Sequence, residues 1–264
     1  SLAMRASSGL AQKVGRSGEF DQAIFRKALT DGSPEDAAAG LIGGLEAGVP
    51  VPSLIDATAR AAAERLSRFD IELDLDDTNE WGWLDVTHTL TYLNALRWAW
   101  SADPSPQVLR GLFHAAWFVQ WTGQFDERSP GANGGRPGRS ASHRTEDAGD
   151  VHKAIVGRDP EAAVALVDGF EGPREELERS LIQAAAEDHS VAPIMVAHVV
   201  KTARAAVDES RALGEGPEAT EPIAAAARFL ASPKRERFVY QSTLEAITVL
   251  RGVPKVESDQ VRPV

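Results

Sequence analysis

Histidine and lysine, two residue types with catalytic and metal-binding chemistry, lie in strongly apolar segments of this chain. The clearest pair is His198 and Lys201, three residues apart in APIMVAHVVKTARAA at 192–206. On a helix this spacing places both side chains on one face, together with Ile194 and Ala205. A lysine buried there would tend to lose its charge. Its neutral amine could then react with carbon dioxide to form a carbamate, which is an oxygen ligand for metals.

Three further histidines lie in or beside apolar helical segments. His88 is in WLDVTHTLTYLNALRWAW at 83–100, His114 in LRGLFHAAWFVQWTG at 109–123, and His189 in AAAEDHS at 184–190. Imidazoles are seldom placed in a hydrophobic interior without a partner. Together with His198, these residues indicate a metal held inside a helical bundle. Asp85, one turn before His88, could orient its imidazole through the second ring nitrogen.

Structural explanations compete with metal binding for each of these histidines. His88 could be a core residue that is bonded to Asp85 or to a backbone carbonyl. His114 could simply stack on the aromatic rings around it. His189 ends a helix, where a cation is favourable without any function.

The lysine and the two remaining histidines also have structural explanations. Lys201 could extend to solvent or pair with Asp208 or Glu209, further along the same segment. His143 lies in a polar stretch and is expected to be solvated. His152 opens a helix, and we expect it at the surface, with a role as a reserve ligand as the alternative.

Aromatic residues cluster near two of the histidines and could line a substrate pocket. The candidates are Trp117, Phe118 and Trp121, which follow His114, and Tyr92, which follows His88. They would suit a flat apolar substrate. Tryptophans in helical proteins are more often core residues, and that alternative stays open here.

Charge and composition exclude several classes of function. The 28 basic and 39 acidic residues give a net charge of −11, which disfavours binding to nucleic acid or to anionic membranes. The chain has no cysteine, so disulfides, thiolate zinc sites and a cysteine nucleophile are excluded. Any metal must therefore use nitrogen and oxygen ligands. No segment resembles a membrane span or a signal peptide, and we expect a cytoplasmic location.

Apolar residues at helical spacing, with almost no alternating β-branched runs, predict an all-α fold. We expect a single bundle-like domain over 1–264 with roughly ten helices, in which 1–18 is flexible. Residues 127–147, rich in Gly, Ser, Arg and Pro, predict a long mobile loop that is either a lid or a plain insertion. Asp103-Pro104 predicts an antiparallel hairpin of the helices before and after it. The expected helices cover 20–30, 34–48, 52–69, 83–101, 105–123, 148–157, 159–169, 173–187, 193–213, 218–232 and 235–251.

The segments WLDVTHTLTYLNALRW and PIMVAHVVKTARAA resemble the histidine-bearing helices of the questin oxidase-like proteins. Related helical domains occur in actinobacterial proteins, some of them fused to a Rieske-type iron–sulfur module. The resemblance covers about residues 80–210. It implies oxidative ring opening of anthraquinone-like compounds at one non-haem iron, which is held by several histidines and a carboxylated lysine.

Carried over to this sequence, the resemblance gives His198 and Lys201 the roles of the family's His-plus-Lys helix, with Lys201 as the carbamate. His88 corresponds to an upstream ligand, and His114 and His189 are assigned to the remaining ligand positions. The chain is shorter than typical members, and its His–Lys spacing is three. Without Rieske cysteines, electrons would come from a separate partner or from the substrate.

The leading hypothesis from the sequence is a non-haem oxygenase that uses dioxygen on an aromatic or polycyclic small molecule. Ferrous iron is the expected cofactor, although the same ligands accept zinc, nickel or copper. The metal ligands would be His88, His114, His189, His198 and Lys201, with His198 and Lys201 as the catalytic pair. A second hypothesis is a non-catalytic helical domain that binds a partner such as a Rieske-type electron carrier. A third is a metal-dependent hydrolase built on Glu187, Asp188 and His189.

Overall fold

The computed structural model describes residues 21–76, 79, 81–126, 144–190, 192–235, 243 and 246–251. Helices account for almost all of the regular structure in these ranges, which contain no β-strand, so the predicted all-α fold is confirmed. The helices are α1 (Gln22–Asp31), α2 (Pro34–Glu46), α3 (Val51–Arg68), α4 (Ile71–Leu75), α5 (Trp83–Ala102), α6 (Pro106–Trp121), α7 (Ala148–Val156), α8 (Pro160–Asp168), α9 (Arg174–Ala186), α10 (Pro193–Ala212) and α11 (Glu221–Ala231). Short 3₁₀ helices follow α6 at Thr122–Phe125 and precede α11 at Pro217–Thr220.

Capping residues and prolines fix where several of these helices begin. Ser33 accepts a hydrogen bond from the backbone N–H of Asp36, whose carboxylate accepts one from the Ser33 N–H in return. Asp159 caps α8 in a similar way, and both capping residues precede a proline at the first helical position. These are the starts that the sequence predicts. The five-residue helix α4 is absent from the sequence-based prediction because it is too short to show a periodic pattern.

Two buried helices organise the core. Helix α3 packs against α1, α5, α6 and α11, and helix α11 packs in turn against α7, α8, α9 and α10. Every residue of α11 from Pro222 to Ala231 is buried, as expected of a helix that is apolar on all sides. The helices of the first and second halves of the chain therefore share the same two central elements.

Helices α5 and α6 form the antiparallel hairpin that the sequence predicts. Trp81, just before α5, contacts Trp121 at the end of α6, and a Cβ placed on Gly111 in α6 would meet Leu96 near the end of α5. Helices α5 and α10, in contrast, run parallel to each other. Their contacts join His88 to His198 near the beginnings of the helices and Arg97 to Glu209 near their ends.

The predicted loop at 127–147 lies mostly outside the described residues, as does the predicted flexible terminus at 1–18. The described part, 144–147, is held in place at both ends. Thr145 forms an isolated bridge to Phe170, and Asp147 caps α7 through the backbone N–H of Gly149. Among the described residues, none of the helices combines the length and the apolar character that crossing a membrane requires.

Candidate functional site: a facing histidine pair between two parallel helices

His88 and His198 face each other across the seam between α5 and α10. Their Nε2 atoms lie 3.1 Å apart, and the two rings are almost perpendicular, with 4.7 Å between their centroids. His198 is 3% exposed, whereas His88 is only partly buried. The pair therefore lies just below the surface, where one edge of it can be reached from outside.

A backbone carbonyl fixes the tautomer of His198. Its Nδ1 donates to the Ile194 carbonyl oxygen at 2.7 Å, one helical turn earlier. Since a carbonyl can only accept, the proton of neutral His198 is on Nδ1, and its Nε2 presents a lone pair to Nε2 of His88. His88 presents a lone pair in return when its own proton is on Nδ1, and donates a hydrogen bond to His198 when that proton is on Nε2.

Two lone pairs at this distance repel each other unless a proton or a cation lies between them. The separation of 3.1 Å is also what two imidazoles show when they bind one metal ion at about 2.0–2.1 Å with roughly a right angle between them. Metal-binding histidines usually donate their other ring N–H to a carbonyl or a carboxylate, as Nδ1 of His198 does to Ile194. The donor chemistry of the pair thus fits a transition metal.

Electrostatics keep both rings neutral near pH 7. Burial, reinforced by the positive charge of Lys201, lowers the pKa of His88 to about 4. Burial also lowers the pKa of His198, and the Asp85 carboxylate opposes that effect only weakly. A neutral imidazole is the form that binds metals, so the pair is prepared for a cation without first having to lose protons.

Lys201 lies close enough to both histidines for its charge to depress their pKa values. Its own pKa is lowered by burial, and its side chain is only partly exposed. The two acidic residues that could have paired with it are engaged elsewhere, Asp208 with Arg204 and Glu209 with Arg97. No ion pair joins Lys201 to a described residue, so its amine remains available to the histidine pair.

Asp85 does not orient His88 as the sequence suggests. Its carboxylate accepts a hydrogen bond of 2.8 Å from the backbone N–H of Gly82 and so caps the start of α5. The backbone of Leu84, four residues before His88 on the same helix, slightly opposes the lowering of the His88 pKa.

The structure does not bring His114 and His189 to this pair, so the predicted cluster of four histidines is wrong for the described residues. His114 is exposed because the inward face of α6 is formed by Leu112, Ala115, Ala116 and Val119. His189 is exposed in the connection after α9. No group of three or more His, Asp or Glu side chains with metal-binding geometry occurs in the described part of the chain.

The residues proposed for a hydrolytic site contact different partners in different parts of the structure. Asp188 points inward and binds Lys234, whereas Glu187 binds Nε2 of His152 at 2.9 Å on the surface. The surface position expected for His152 is close to what is found, with its ring partly buried beside Glu187. His143 lies outside the described residues.

Three of the four aromatic residues proposed as pocket walls form a stack at the surface. The rings of Trp117 and Trp121 are nearly parallel with centroids 5.9 Å apart, and Phe118 packs against both. Trp117 is 49% exposed, and Tyr92 on α5 is also exposed. A groove of about 580 Å³ lies between α1 and α2, where Ile24, Phe25 and Gly40 are among its walls.

The sequence-based reasoning missed a row of polar side chains that continues from the histidine pair along the seam between α5 and α10. Glu209, which is fully buried, accepts hydrogen bonds from Asn94 and, in a bidentate arrangement, from Arg97. Between this ion pair and the histidines lies Thr202, also fully buried. The signal was present in the sequence, because residues 198, 202, 205 and 209 share one helical face and three of the four are polar.

No protein-family model, no curated protein and no solved structure matches this chain. The resemblance to the questin oxidase-like proteins therefore stays a prediction.

Proposed function

We propose that this protein is a metal-dependent oxidoreductase of the non-haem oxygenase class, with its metal bound at His88 and His198. The observation that carries the proposal is the pair of facing Nε2 atoms, 3.1 Å apart, with Nδ1 of His198 bonded to the Ile194 carbonyl. As two neutral imidazoles, the rings either repel each other or, when His88 carries its proton on Nε2, share one N–H···N hydrogen bond. A bound cation removes the repulsion and uses both lone pairs.

Lys201 would complete the protein's contribution to the site. As a free amine it would hold or orient an anionic group near the histidines, and as a carbamate it would add an oxygen ligand. Iron(II) is the proposed metal, with zinc, nickel or copper as alternatives that accept the same ligands. When bound, a redox-active metal would supply electron transfer to dioxygen, and the remaining electrons would come from the substrate or from a separate carrier.

An aromatic or polycyclic small molecule is the proposed substrate. What supports this class is the resemblance of the histidine-bearing segments to the questin oxidase-like helices, together with the apolar side chains exposed around the start of α10. Ile194, one turn before His198 on the same face of α10, is 44% exposed. An apolar side chain beside a metal site would favour a substrate with a flat apolar body.

The decisive experiment compares four alanine variants with the wild type by metal titration. Chelator-treated protein would be titrated with Fe²⁺ under anaerobic conditions and with Co²⁺, whose visible absorption reports nitrogen ligands. We expect His88→Ala and His198→Ala to abolish stoichiometric binding, because each removes one of the two facing nitrogens. His114→Ala and His189→Ala are matched controls and should bind like the wild type, since both side chains are exposed. Failure of the wild type to bind about one metal per chain would overturn the proposal.

Lys201→Ala tests the role of the lysine in the same assay. We expect metal retention to fall while far-ultraviolet circular dichroism shows unchanged helicity. If added bicarbonate strengthens binding by the wild type and not by Lys201→Ala, the lysine acts as a carbamate. Full metal content and activity in Lys201→Ala would exclude it from the site.

A second candidate function is a non-catalytic domain that binds a protein partner such as a Rieske-type electron carrier. The specific observation in its favour is the number of large apolar side chains on the surface, among them Trp98 at 73% exposed. In that case the purified chain should be free of metal, and chelators should leave its melting temperature unchanged.

A further inference from the structure

Threonine hydroxyls inside the helices of this protein normally donate to a carbonyl one turn earlier. Thr58 donates to the Leu54 carbonyl at 2.7 Å, and Thr91 donates to the Thr87 carbonyl at 3.1 Å. Thr202 breaks this pattern. It is fully buried in the middle of α10, and its hydroxyl has no hydrogen-bond partner among the described residues.

The position of Thr202 relates it directly to the histidine pair. It follows His198 by four residues, so the two side chains lie on the same face of α10, about 6 Å apart along the helix axis. Helical side chains lean toward the N-terminal end of the helix, which brings the Thr202 hydroxyl toward the turn that carries His198. The contacts of His198 and Glu209 show that this face of α10 meets α5.

The register of the two parallel helices places Thr202 opposite Thr91. Contacts across the seam join residues that are 110 apart at the histidine pair and 112 to 115 apart at Glu209. By interpolation, position 202 is level with about position 91, one turn beyond His88. Two hydroxyls thus approach the same level of the seam beside the histidines, and they do not bond to each other.

A buried hydroxyl without a partner is unfavourable, so its presence needs an explanation. Ser210 also has a buried unpaired hydroxyl, but it lies three turns beyond His198 and cannot reach the pair. The hydroxyl of Thr202 is the one that lies within a single turn of the facing Nε2 atoms. A bound water or a ligand oxygen at the histidine pair would give it the missing partner.

We infer that Thr202 is a positioning residue of the His88–His198 site. Its hydroxyl hydrogen-bonds an oxygen-bearing ligand, either water or a substrate oxygen, that is held beside the two imidazoles. The inference rests on the proposed metal-binding function and adds a polar residue that is not itself a metal ligand. The hydroxyl oxygen of Thr91, across the seam, can accept a hydrogen bond from the same ligand while the hydroxyl still donates its own hydrogen to the Thr87 carbonyl.

Thr202→Val and Thr202→Ser test this role with Co²⁺ as the probe. Valine keeps the shape of threonine and removes the hydroxyl, whereas serine keeps the hydroxyl. We expect Thr202→Val to weaken Co²⁺ binding by about 10- to 100-fold and to change the visible absorption bands, as other losses of an outer-shell hydrogen bond do. Thr202→Ser should bind like the wild type with the same spectrum.

Thr58→Val is the matched control, because Thr58 is equally buried and its hydroxyl is satisfied within its own helix. It should lower the melting temperature slightly and leave Co²⁺ affinity and spectrum unchanged. Thr202→Ala, which adds no methyl group, gives the same comparison if valine does not fit the seam.

The outcomes separate this inference from the proposed function. If the wild type binds Co²⁺ and Thr202→Val binds it with unchanged affinity, the hydroxyl is simply buried and unpaired, and only the role of Thr202 is overturned. Thr202→Val should then also melt a few degrees higher, because an unsatisfied polar group has been removed. If the wild type binds no Co²⁺, the metal site and the role of Thr202 fall together.

Discussion

At the scale of single residues, the site depends on which nitrogen of each imidazole carries the proton. The Ile194 carbonyl, four residues earlier, fixes that choice for His198. The lone pair that results on Nε2 is directed at His88 in a partly desolvated seam. Burial and the nearby Lys201 charge make an added proton on either ring unfavourable near neutral pH. A metal ion at the pair would meet the same Lys201 charge unless the lysine were neutral or carboxylated.

The pH dependence of stability in the metal-free protein follows from the same shifts. The pKa of His88 is about 4 in the folded protein and 6.5 in an unfolded chain, so between these values the unfolded chain binds more protons. The contribution to stability is complete above pH 6.5 and is lost as the pH falls toward 4. After discounting for the partial exposure of His88, we expect a loss of about 1–3 kcal/mol.

Urea denaturation of chelator-treated protein at a series of pH values measures this loss. His88→Gln removes the titrating group, so its stability should vary less between pH 4 and 6.5 than that of the wild type. Parallel profiles for the two proteins would show that the pKa of His88 is not lowered by folding.

The structure brings His88 and His198 together and leaves His114 and His189 exposed elsewhere, while the metal-binding roles of His88, His198 and Lys201 stay predictions. On α10 the apolar stripe that contains His198 really faces another helix. On α6 the residues around His114 are apolar on both the inner and the outer face, since Phe113 and Trp117 lie outside the buried row. Where a helix is apolar all round, spacing alone does not show which face is buried. The contact of His198 with a residue 110 positions away could not be read from either segment.

At the scale of elements, the helix boundaries were largely predictable because local chemistry sets them. Ser33, Ser105 and Asp159 accept hydrogen bonds from the first turns of α2, α6 and α8, and a proline follows each of them. Their effect is local and is visible in four consecutive residues. The parallel arrangement of α5 and α10 was not predictable, because it depends on how α3 and α11 separate the other helices.

Two glycines on α2 give a matched pair of substitutions with opposite expected signs. A Cβ on Gly40 would lie 2.7 Å from Cδ2 of Phe25, a ring that is 2% exposed, so the ring would have to shift, while a Cβ on Gly43 would meet nothing within 4 Å. We expect Gly40→Ala to lower the free energy of unfolding by about 1–3 kcal/mol through overpacking. Gly43→Ala should raise it by about 0.5–1 kcal/mol, because alanine loses less backbone entropy in a helix.

Thermal unfolding of the two glycine variants and the wild type, followed by circular dichroism, measures both effects. A shift of the melting temperature in the same direction for both variants would show that Phe25 does not limit the space at Gly40.

At the scale of the whole molecule, α11 joins the two halves of the chain into one core. Its buried alanines let α3, α8 and α10 approach closely, and the ion pairs of Arg26 and Arg60 with Glu221 attach its first turn to α1 and α3. The histidine seam also belongs to both halves, because α5 comes from the first and α10 from the second. A site formed in this way exists only when the two halves are packed together.

The tryptophans allow a test of whether the two halves unfold as one unit. All six lie between positions 81 and 121, in or beside α5 and α6, so their fluorescence reports on the first half, whereas far-ultraviolet circular dichroism reports on every helix. We expect the two signals to change at the same temperature, since both halves pack on α3 and α11. Ala225→Leu, at a fully buried position of α11, should lower both transitions together by overpacking of about 1–3 kcal/mol. In Ala225→Leu, the circular dichroism transition could instead move while the fluorescence transition keeps its wild-type temperature. That result would show that the halves unfold separately. The histidine seam could then open while the first half remains folded.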